Sequence, residues 1–270
     1  MVHVRKRFGQ HFLHDPAVIE RIVRAVGPRP GDHLVEIGPG RGALTRGLLA
    51  SAELASLDAI EIDRDLGATL ARELASDERF HLHRADALTL DLGALAALRG
   101  GRLRLAGNLP YNVATKLLFH CLASLRSLED MLFMLQREVA ARIAAKPGTA
   151  EYGRLTVMLA PSVRAERLFD VGPGAFQPPP KVWSSVVRLR VLEEPPFPLS
   201  AAYGDIVTTA FAHRRKTLRN ALRGRLAPGE IEACGIDPGA RPETLSPGAF
   251  NALACAVEQR SRAPARPAMG

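Results

Sequence analysis

A chain of 270 residues with 47% hydrophobic side chains is long enough for one full α/β domain and a small second domain, which excludes a disordered or fibrous protein. Its three cysteines are far apart and odd in number, which argues against a disulfide framework and a zinc site, so we expect a reducing cytoplasm and no metal. The 36 Lys and Arg residues outnumber the 28 Asp and Glu residues, and the net charge of +8 predicts a polyanionic partner.

The N-terminal segment is basic and lacks the apolar core of a secretion signal, and no apolar run approaches the length needed to span a bilayer. We therefore expect a soluble, unprocessed monomer. Arg5, Lys6 and Arg7 form a basic cluster in this segment and are candidate contacts for the polyanion.

Apolar runs typical of buried strands alternate with helical patterns over residues 17–190, which predicts a mostly parallel sheet with helices on both faces. The predicted strands are residues 33–37, 57–62, 79–84, 102–106, 130–135, 163–169 and 184–191. The Pro-rich segment 191–200 separates this domain, residues 1–190, from the purely helical patterns of residues 201–260. Residues 261–270 have the composition of a disordered tail.

The first predicted strand runs into the glycine-rich turn "EIGPGRGALT", which holds Gly38, Gly40 and Gly42. Glycines let the backbone approach a ligand closely, and the helix start that follows offers free N–H groups. A purely structural turn is the alternative for such a segment. Glu36 stands just before the turn, where its carboxylate favours a cationic ligand over a pyrophosphate.

The next two predicted strands also end on acidic residues. Glu61 in "AIEIDRD" lies about twenty residues beyond the glycines, where a carboxylate can accept hydrogen bonds from both ribose hydroxyls. Asp86 in "HRADAL" can accept from an adenine amino group, although a helix N-cap is the simpler interpretation for this residue alone. Together the three strand ends predict a nucleoside site without phosphate-binding groups, which favours S-adenosylmethionine over ATP or NAD.

The fourth predicted strand ends in "GNLPYN", beside the expected position of the cofactor's methyl group. An adenine N6 amine is a poor nucleophile, and acceptors on the Asn108 side chain and the Pro110 carbonyl would hold its lone pair towards the sulfonium. Tyr111 offers a flat face on which a base taken out of its helix can stack. The alternative is a polar turn that closes a strand.

The segment "FAHRRKTLRNALRGR", residues 211–225, carries basic residues and no acid. On one helix, Arg215, Arg219 and Arg223 would form a band beside the apolar face. A solvated helix face is one interpretation, and contact with nucleic acid phosphates is the other.

These motifs, in this order, make the chain resemble the ribosomal RNA adenine dimethyltransferases. The resemblance extends over nearly the whole chain, from "FGQHFLHD" through the segments above to "FQPPPKVWSSVVRL" and "AFAHRRKTLRNAL". It implies a Rossmann-like class I methyltransferase domain with a seven-stranded sheet and a small helical C-terminal domain that contacts RNA. The implied reaction dimethylates N6 of two adjacent adenosines near the 3′ end of small-subunit rRNA in a pre-30S particle, with a role in ribosome biogenesis.

The resemblance also assigns site residues position by position. Cofactor contacts fall on His11, Leu13, Gly38, Glu61, Asp86 and Asn108, and Glu36 and Gly40 complete the same predicted site. The family often has Asn where this chain has His11, which leaves open whether the side chain or the backbone makes that contact. Phe176 matches the family's second aromatic residue near the target base; a core position is the other interpretation.

Two alternatives remain. One is another adenine methyltransferase, acting on large-subunit rRNA or on DNA, and the other is a ribosome-assembly factor that needs no catalysis. Leu109 and the "HRRKTLRN" segment favour the small-subunit enzyme, and the complete set of site residues argues for retained catalysis.

Overall fold

The computed structural model describes residues 11–50, 54–110, 113–213 and 215–262. Its nine strands are β1 (Phe12–Leu13), β2 (Asp32–Ile37), β3 (Leu54–Ile60), β4 (Phe80–His83), β5 (Leu103–Asn108), β6 (Leu128–Gln136), β7 (Val163–Val171), β8 (Phe176–Gln177) and β9 (Ser184–Val191). Its α-helices are α1 (Pro16–Val26), α2 (Ala43–Leu49), α3 (Arg64–Glu73), α4 (Leu92–Arg99), α5 (Ala114–Ala123), α6 (Arg137–Ile143), α7 (Arg154–Leu159), α8 (Tyr203–Ala212), α9 (Leu218–Ala221), α10 (Pro228–Ala233) and α11 (Pro247–Arg262).

Seven strands form one mostly parallel sheet in the order β4-β3-β2-β5-β6-β9-β7. The pairs from β4 through β6 are parallel, and β9 runs antiparallel to β6. The predicted seven-stranded sheet is confirmed, with each strand end within three residues of its predicted position. The central strands were recognisable because sheets covered on both faces need nearly continuous apolar runs, such as Leu103 and Leu105 of β5, each at most 2% exposed.

The strand order reverses between β2 and β5. From β2 the chain continues outward to β3 and β4, and it then returns to place β5 and β6 on the other side of β2. In open parallel sheets this reversal leaves a crevice beyond the carboxyl ends of the two central strands, where ligands bind. The β2–β5 pair therefore positions the candidate site.

The chain divides into two compact units. One consists of Met1–Ala140 with Arg164–Val191, and the other of Ala141–Val163 with Leu192–Gly270. The division after Val191 lies next to the boundary predicted from the Pro-rich segment, whereas residues 141–163, which are predicted for the first domain, belong to the second unit. This segment joins the second unit because Tyr152 is buried in its core and donates a hydrogen bond to the Leu245 carbonyl at 2.7 Å.

The second unit is helical, but the single helix predicted over residues 211–225 is wrong. Helix α8 ends at Ala212, and α9 begins only at Leu218. The N–H groups of Leu218 and Arg219 donate to the carbonyls of Ala240 and Pro238. These distant partners take the place of the carbonyls that a continuous helix would supply, so α9 begins anew at Leu218.

Within the described ranges, no helix combines the length and apolarity needed to cross a bilayer. The same residues contain no group of three or more His, Cys, Asp or Glu side chains placed to hold a metal ion.

Candidate active site

A cavity of about 180 Å³ lies at the carboxyl ends of β2, β3 and β5, at the reversal of the strand order. Its lining brings together most of the residues that the sequence analysis assigned to the cofactor and the target base. These are His11, Leu13, Glu36, Gly38, Gly40, Glu61, Asp86, Asn108 and Pro110.

The glycine turn forms one wall of the cavity. Gly38 and Gly40 both have positive φ angles, 69° and 56°, which side chains other than glycine rarely adopt. A Cβ atom at residue 40 would also lie 3.1 Å from the ring of Phe12. The turn therefore needs glycine for its backbone conformation and for the close approach of β1.

Glu36, near the end of β2, is a buried carboxyl group in the cavity wall. Its side chain is 2% exposed, and Oε2 has no hydrogen-bond partner among the described residues. Burial raises the pKa of Glu36 to about 7; the charge of Glu61 adds to this rise, while Thr45 and Arg46 oppose it. An unpaired buried carboxylate oxygen is costly, so this site is suited to a cationic group.

Glu61 follows β3 and is held in place by two backbone donors. Oε2 accepts from the Gly40 N–H at 3.0 Å, and Oε1 accepts from the Asp63 N–H at 2.9 Å. Burial raises the pKa of Glu61, and these two bonds partly offset the rise. A carboxylate has about four acceptor positions, so two fixed bonds orient Glu61 and leave capacity for ligand hydroxyls.

Asp86 lies after β4 on an exposed turn and lines the same cavity. Its Oδ1 accepts from the Leu88 N–H at 2.9 Å. The side chain therefore stabilises its own turn and also faces the ligand space, but it is not a helix N-cap, because Asp91 holds that position at the start of α4.

Asn108 ends β5, and its side-chain amide is oriented by a residue far away in the sequence. Nδ2 donates to the backbone carbonyl of His11 at 3.0 Å, while His11 Nδ1 lies 2.8 Å from the Pro178 carbonyl oxygen. Because a carbonyl can only accept, this contact fixes Nδ2 towards His11 and makes Oδ1 the acceptor end. The backbone of His11 thus has a positioning role that the sequence analysis did not identify.

The Pro110 carbonyl cannot serve as the second acceptor for an adenine amine. Its oxygen accepts from the N–H groups of Val113 and Ala114, at 3.1 and 3.2 Å, as the chain enters α5. Both acceptor positions are then in use, so this part of the prediction is corrected. Leu109 lines the cavity, and no hydrogen bond between described residues ends on its carbonyl oxygen.

The remaining predicted site residues of the first unit lie outside the cavity lining or outside the described residues. Phe176 is 3% exposed, pairs with Leu13 between β1 and β8, and lies in the core of the first unit outside the cavity lining. Tyr111 and the basic cluster of Arg5, Lys6 and Arg7 lie outside the described residues.

Among the cavity residues that the sequence did not identify, Phe12 and Arg41 contact each other. The Arg41 guanidinium stacks over the Phe12 ring, with its carbon atom 4.5 Å from the ring centre, and both residues line the cavity. Phe12 belongs to the quoted "FGQHFLHD" segment, but nothing in the sequence links that segment to the glycine turn. Their contact depends on the fold.

The family model described as ribosomal RNA adenine dimethylase matches residues 1–258 of the chain. The chain belongs to the ribosomal RNA adenine dimethylase family. Membership confirms the resemblance found in the sequence and the assignment as an rRNA adenine dimethyltransferase with a class I methyltransferase fold.

Relatives of this dimethylase include two proteins named "Ribosomal RNA small subunit methyltransferase A". The one from Pseudomonas aeruginosa is 52% identical over 252 residues, which cover 93% of each chain. The one from Nitrosococcus oceani is 54% identical over 245 residues, which cover 90% of this chain and 91% of the relative.

Two solved structures resemble the dimethylase along nearly its full length. The 23S rRNA methyltransferase ErmE has a TM-score of 0.71 and 28% identity and covers 92% of this chain and 100% of its own. A dimethyladenosine transferase from Plasmodium falciparum has a TM-score of 0.79, covers 93% of this chain and 98% of its own, and at 21% identity shows the shared fold.

The second unit of the dimethylase carries three of the five predicted RNA-contacting arginines, and all three are exposed. Arg215 precedes α9, Arg219 lies on it and Arg223 follows it, so they do not form one helical band. Arg219 and Arg223 instead line a shallow depression together with Arg260 of α11.

Proposed function

We propose that the protein transfers methyl groups from S-adenosylmethionine to N6 of two adjacent adenosines near the 3′ end of small-subunit rRNA. The substrate is a pre-30S particle, so the enzyme also takes part in small-subunit biogenesis. The observation that carries the proposal is the convergence of Glu36, Glu61 and Asn108, from the ends of three neighbouring strands, on one cavity.

The cavity residues fit this cofactor. Glu36 offers an unpaired buried oxygen to a cationic ligand, and Glu61 has acceptor capacity for ribose hydroxyls. Asp86 supplies an exposed carboxylate for the adenine base of the cofactor. The backbone of the glycine turn leaves room for the rest of the cofactor. S-adenosylmethionine supplies the methyl group on a sulfonium. The residues of this chain bind the cofactor and orient the target amine.

The target amine is oriented by acceptors at the end of β5. Asn108 Oδ1 accepts one N6–H bond, because Nδ2 is already committed to His11. The Leu109 carbonyl accepts the other, in place of the saturated Pro110 carbonyl. With both N–H bonds held, the nitrogen lone pair faces the methyl donor, so positioning rather than a strong base drives the reaction.

Each transfer forms one N–C bond, breaks one S–C bond and releases one proton from N6 to water. After the first methylation only one N–H bond remains, so one acceptor is enough for the second. Tyr111 stacks on the extruded base in this proposal, and Phe176 would reach the base only if the local packing opened. Arg5, Lys6 and Arg7, together with the arginines of the second unit, hold the RNA backbone.

A strain that lacks its own small-subunit adenine dimethylase provides the test. Small- and large-subunit particles from this strain are incubated separately with the protein and S-adenosylmethionine, and ribonuclease fragments of each rRNA are analysed by mass spectrometry. We expect N6,N6-dimethyladenosine at two adjacent positions. Methylation of large-subunit rRNA instead, or of neither subunit, would overturn the proposal.

A further inference from the structure

Trp183 is an exposed aromatic side chain at the same edge of the sheet as the active site. It is 48% exposed, and it is the chain's single tryptophan. Its carbonyl accepts from the Arg137 N–H at 2.9 Å, which extends the β6–β9 ladder beyond the carboxyl end of β6. One part of the ring packs on Gly172, where a Cβ atom would lie 3.7 Å from it. The backbone anchor and this contact hold the ring in place with its remaining surface open.

The sheet register gives the distance between the Cα atoms of Trp183 and Asn108, the residue proposed to hold the reacting amine. Asn108 of β5 lies opposite Met134 of β6, and Met134 lies opposite Val186 of β9. Trp183 is two strands to the side and three residues further along, so its Cα atom is about 14 Å from that of Asn108. This distance is too long for contact with the methylated base and short enough for contact with a neighbouring nucleotide.

The surroundings of Trp183 favour nucleic acid over an apolar partner. Lys181 lies shortly before Trp183 in the sequence, and Arg137 lies opposite Trp183 where their backbones are hydrogen-bonded. Both charged side chains are exposed. The nearby carboxylate of Asp170 is paired with Arg167 at 2.7 Å. A flat ring beside exposed positive charge is the usual platform for a stacked base with its phosphate, because every base has a face that can stack.

We propose that Trp183 stacks an unpaired base next to the target adenosine, while Lys181 contacts the adjoining phosphate. This inference rests on the proposed function and adds a second RNA contact to the same sheet edge. It also gives a role to a half-exposed indole.

Fluorescence gives a direct test, since all tryptophan emission comes from this position. A protein-free 3′ fragment of small-subunit rRNA that carries the two adenosines is titrated into the full-length protein with S-adenosylhomocysteine. At fragment concentrations that saturate the protein in a separate binding titration with labelled fragment, we expect stacking to quench the emission. Trp183→Ala should weaken binding to unmethylated small-subunit particles about tenfold, whereas Trp183→Phe keeps a ring and should stay within about threefold.

Leu98→Ala is the matched control, because Leu98 is 72% exposed on α4, before the amino end of β5. It should leave particle binding unchanged, and cofactor affinity should be equal in all variants. Saturated fragment binding without quenching, or wild-type particle binding by Trp183→Ala, would overturn this inference alone. If Trp183→Ala weakens particle binding but the RNA fragment does not quench, the contact is with a ribosomal protein and the inference is wrong. Failure of the wild type to methylate small-subunit particles would overturn the proposed function as well.

Discussion

Glu36 shows how a single side chain can favour ligand binding at the expense of stability. Its pKa of about 7 in the folded protein lies above its ordinary value of 4.5, because the carboxyl group is buried without a full set of partners. Its contribution to stability is therefore fully present below pH 4.5 and is lost as the pH rises through 7. A bound cation would reverse this preference, since it stabilises the ionised form.

We predict that affinity for S-adenosylmethionine rises roughly tenfold between pH 6 and pH 8, because only about a tenth of Glu36 is ionised at pH 6. Isothermal titration calorimetry over this range measures the effect. Glu36→Gln should bind weakly at every pH, and it should be more stable than the wild type at pH 8, with the difference shrinking towards pH 5. An equally steep rise in the variant would assign the titration to another group.

The amide of Asn108 is the second side chain with a specific expected effect. Replacing it with Ala removes one acceptor for the amine, so we predict that the single-turnover rate falls about 10²- to 10³-fold while thermal stability changes little. His11→Ala is the control: it keeps the backbone carbonyl that orients Asn108, and its rate should fall far less. If the two variants lose activity equally, the His11 side chain has a role that the backbone contact does not explain.

At the scale of single elements, the β2–β5 pair leaves very little space for a side chain between its two strands. Gly107 precedes Asn108 on β5, opposite Ile37 of β2. A Cβ atom at residue 107 would lie 2.5 Å from the Ile37 carbonyl oxygen, which is backbone and cannot move away cheaply. This glycine is therefore required for close strand packing below the active site, in addition to any effect on the ligand.

Gly107→Ala should lower the free energy of unfolding by about 1–3 kcal/mol, because the two strands must separate to admit the methyl group. Gly101→Ala at the other end of β5 is the control, since its Cβ atom would find ordinary contacts at 3.5 Å or more. Its effect should stay within about 0.5 kcal/mol. Urea denaturation of both variants tests this, and equal stabilities would show that the sheet relaxes around residue 107.

Over the molecule as a whole, the excess of positive charge is the property that bears on the RNA partner. The net charge is +8, and in the second unit Arg219, Arg223 and Arg260 line one depression. A phosphate neutralised there releases condensed counterions, so binding should depend steeply on salt. Arg215 stands apart from this group on the turn before α9.

We predict that replacing Arg219 and Arg223 together with Gln weakens binding to small-subunit particles and reduces the slope of log affinity against log salt by roughly two. Affinity for S-adenosylmethionine should stay the same, because its proposed site lies within the first unit. Arg225→Gln is the control, since Arg225 already pairs with Asp205 at 3.1 Å. A slope unchanged in the double variant would make these arginines a solvated surface.

The order of strands and helices could be derived from the sequence, and so could the candidate site. Apolar periodicity is a local property, and parallel strands place their carboxyl ends at one sheet edge, so Glu36, Glu61 and Asn108 had to meet there. The motifs in their order also identified the family. These inferences needed only neighbouring residues and chain order.

Contacts between distant residues could not be read in this way. The bond from Asn108 to His11 joins residues 97 positions apart, and the break before α9 depends on carbonyls more than ten residues further along. The saturation of the Pro110 carbonyl, the burial of Phe176 and the packing of Tyr152 into the second unit likewise depend on how the chain folds back. Periodicity records which face of an element is apolar, and it carries no information on which partner covers that face or satisfies a polar group.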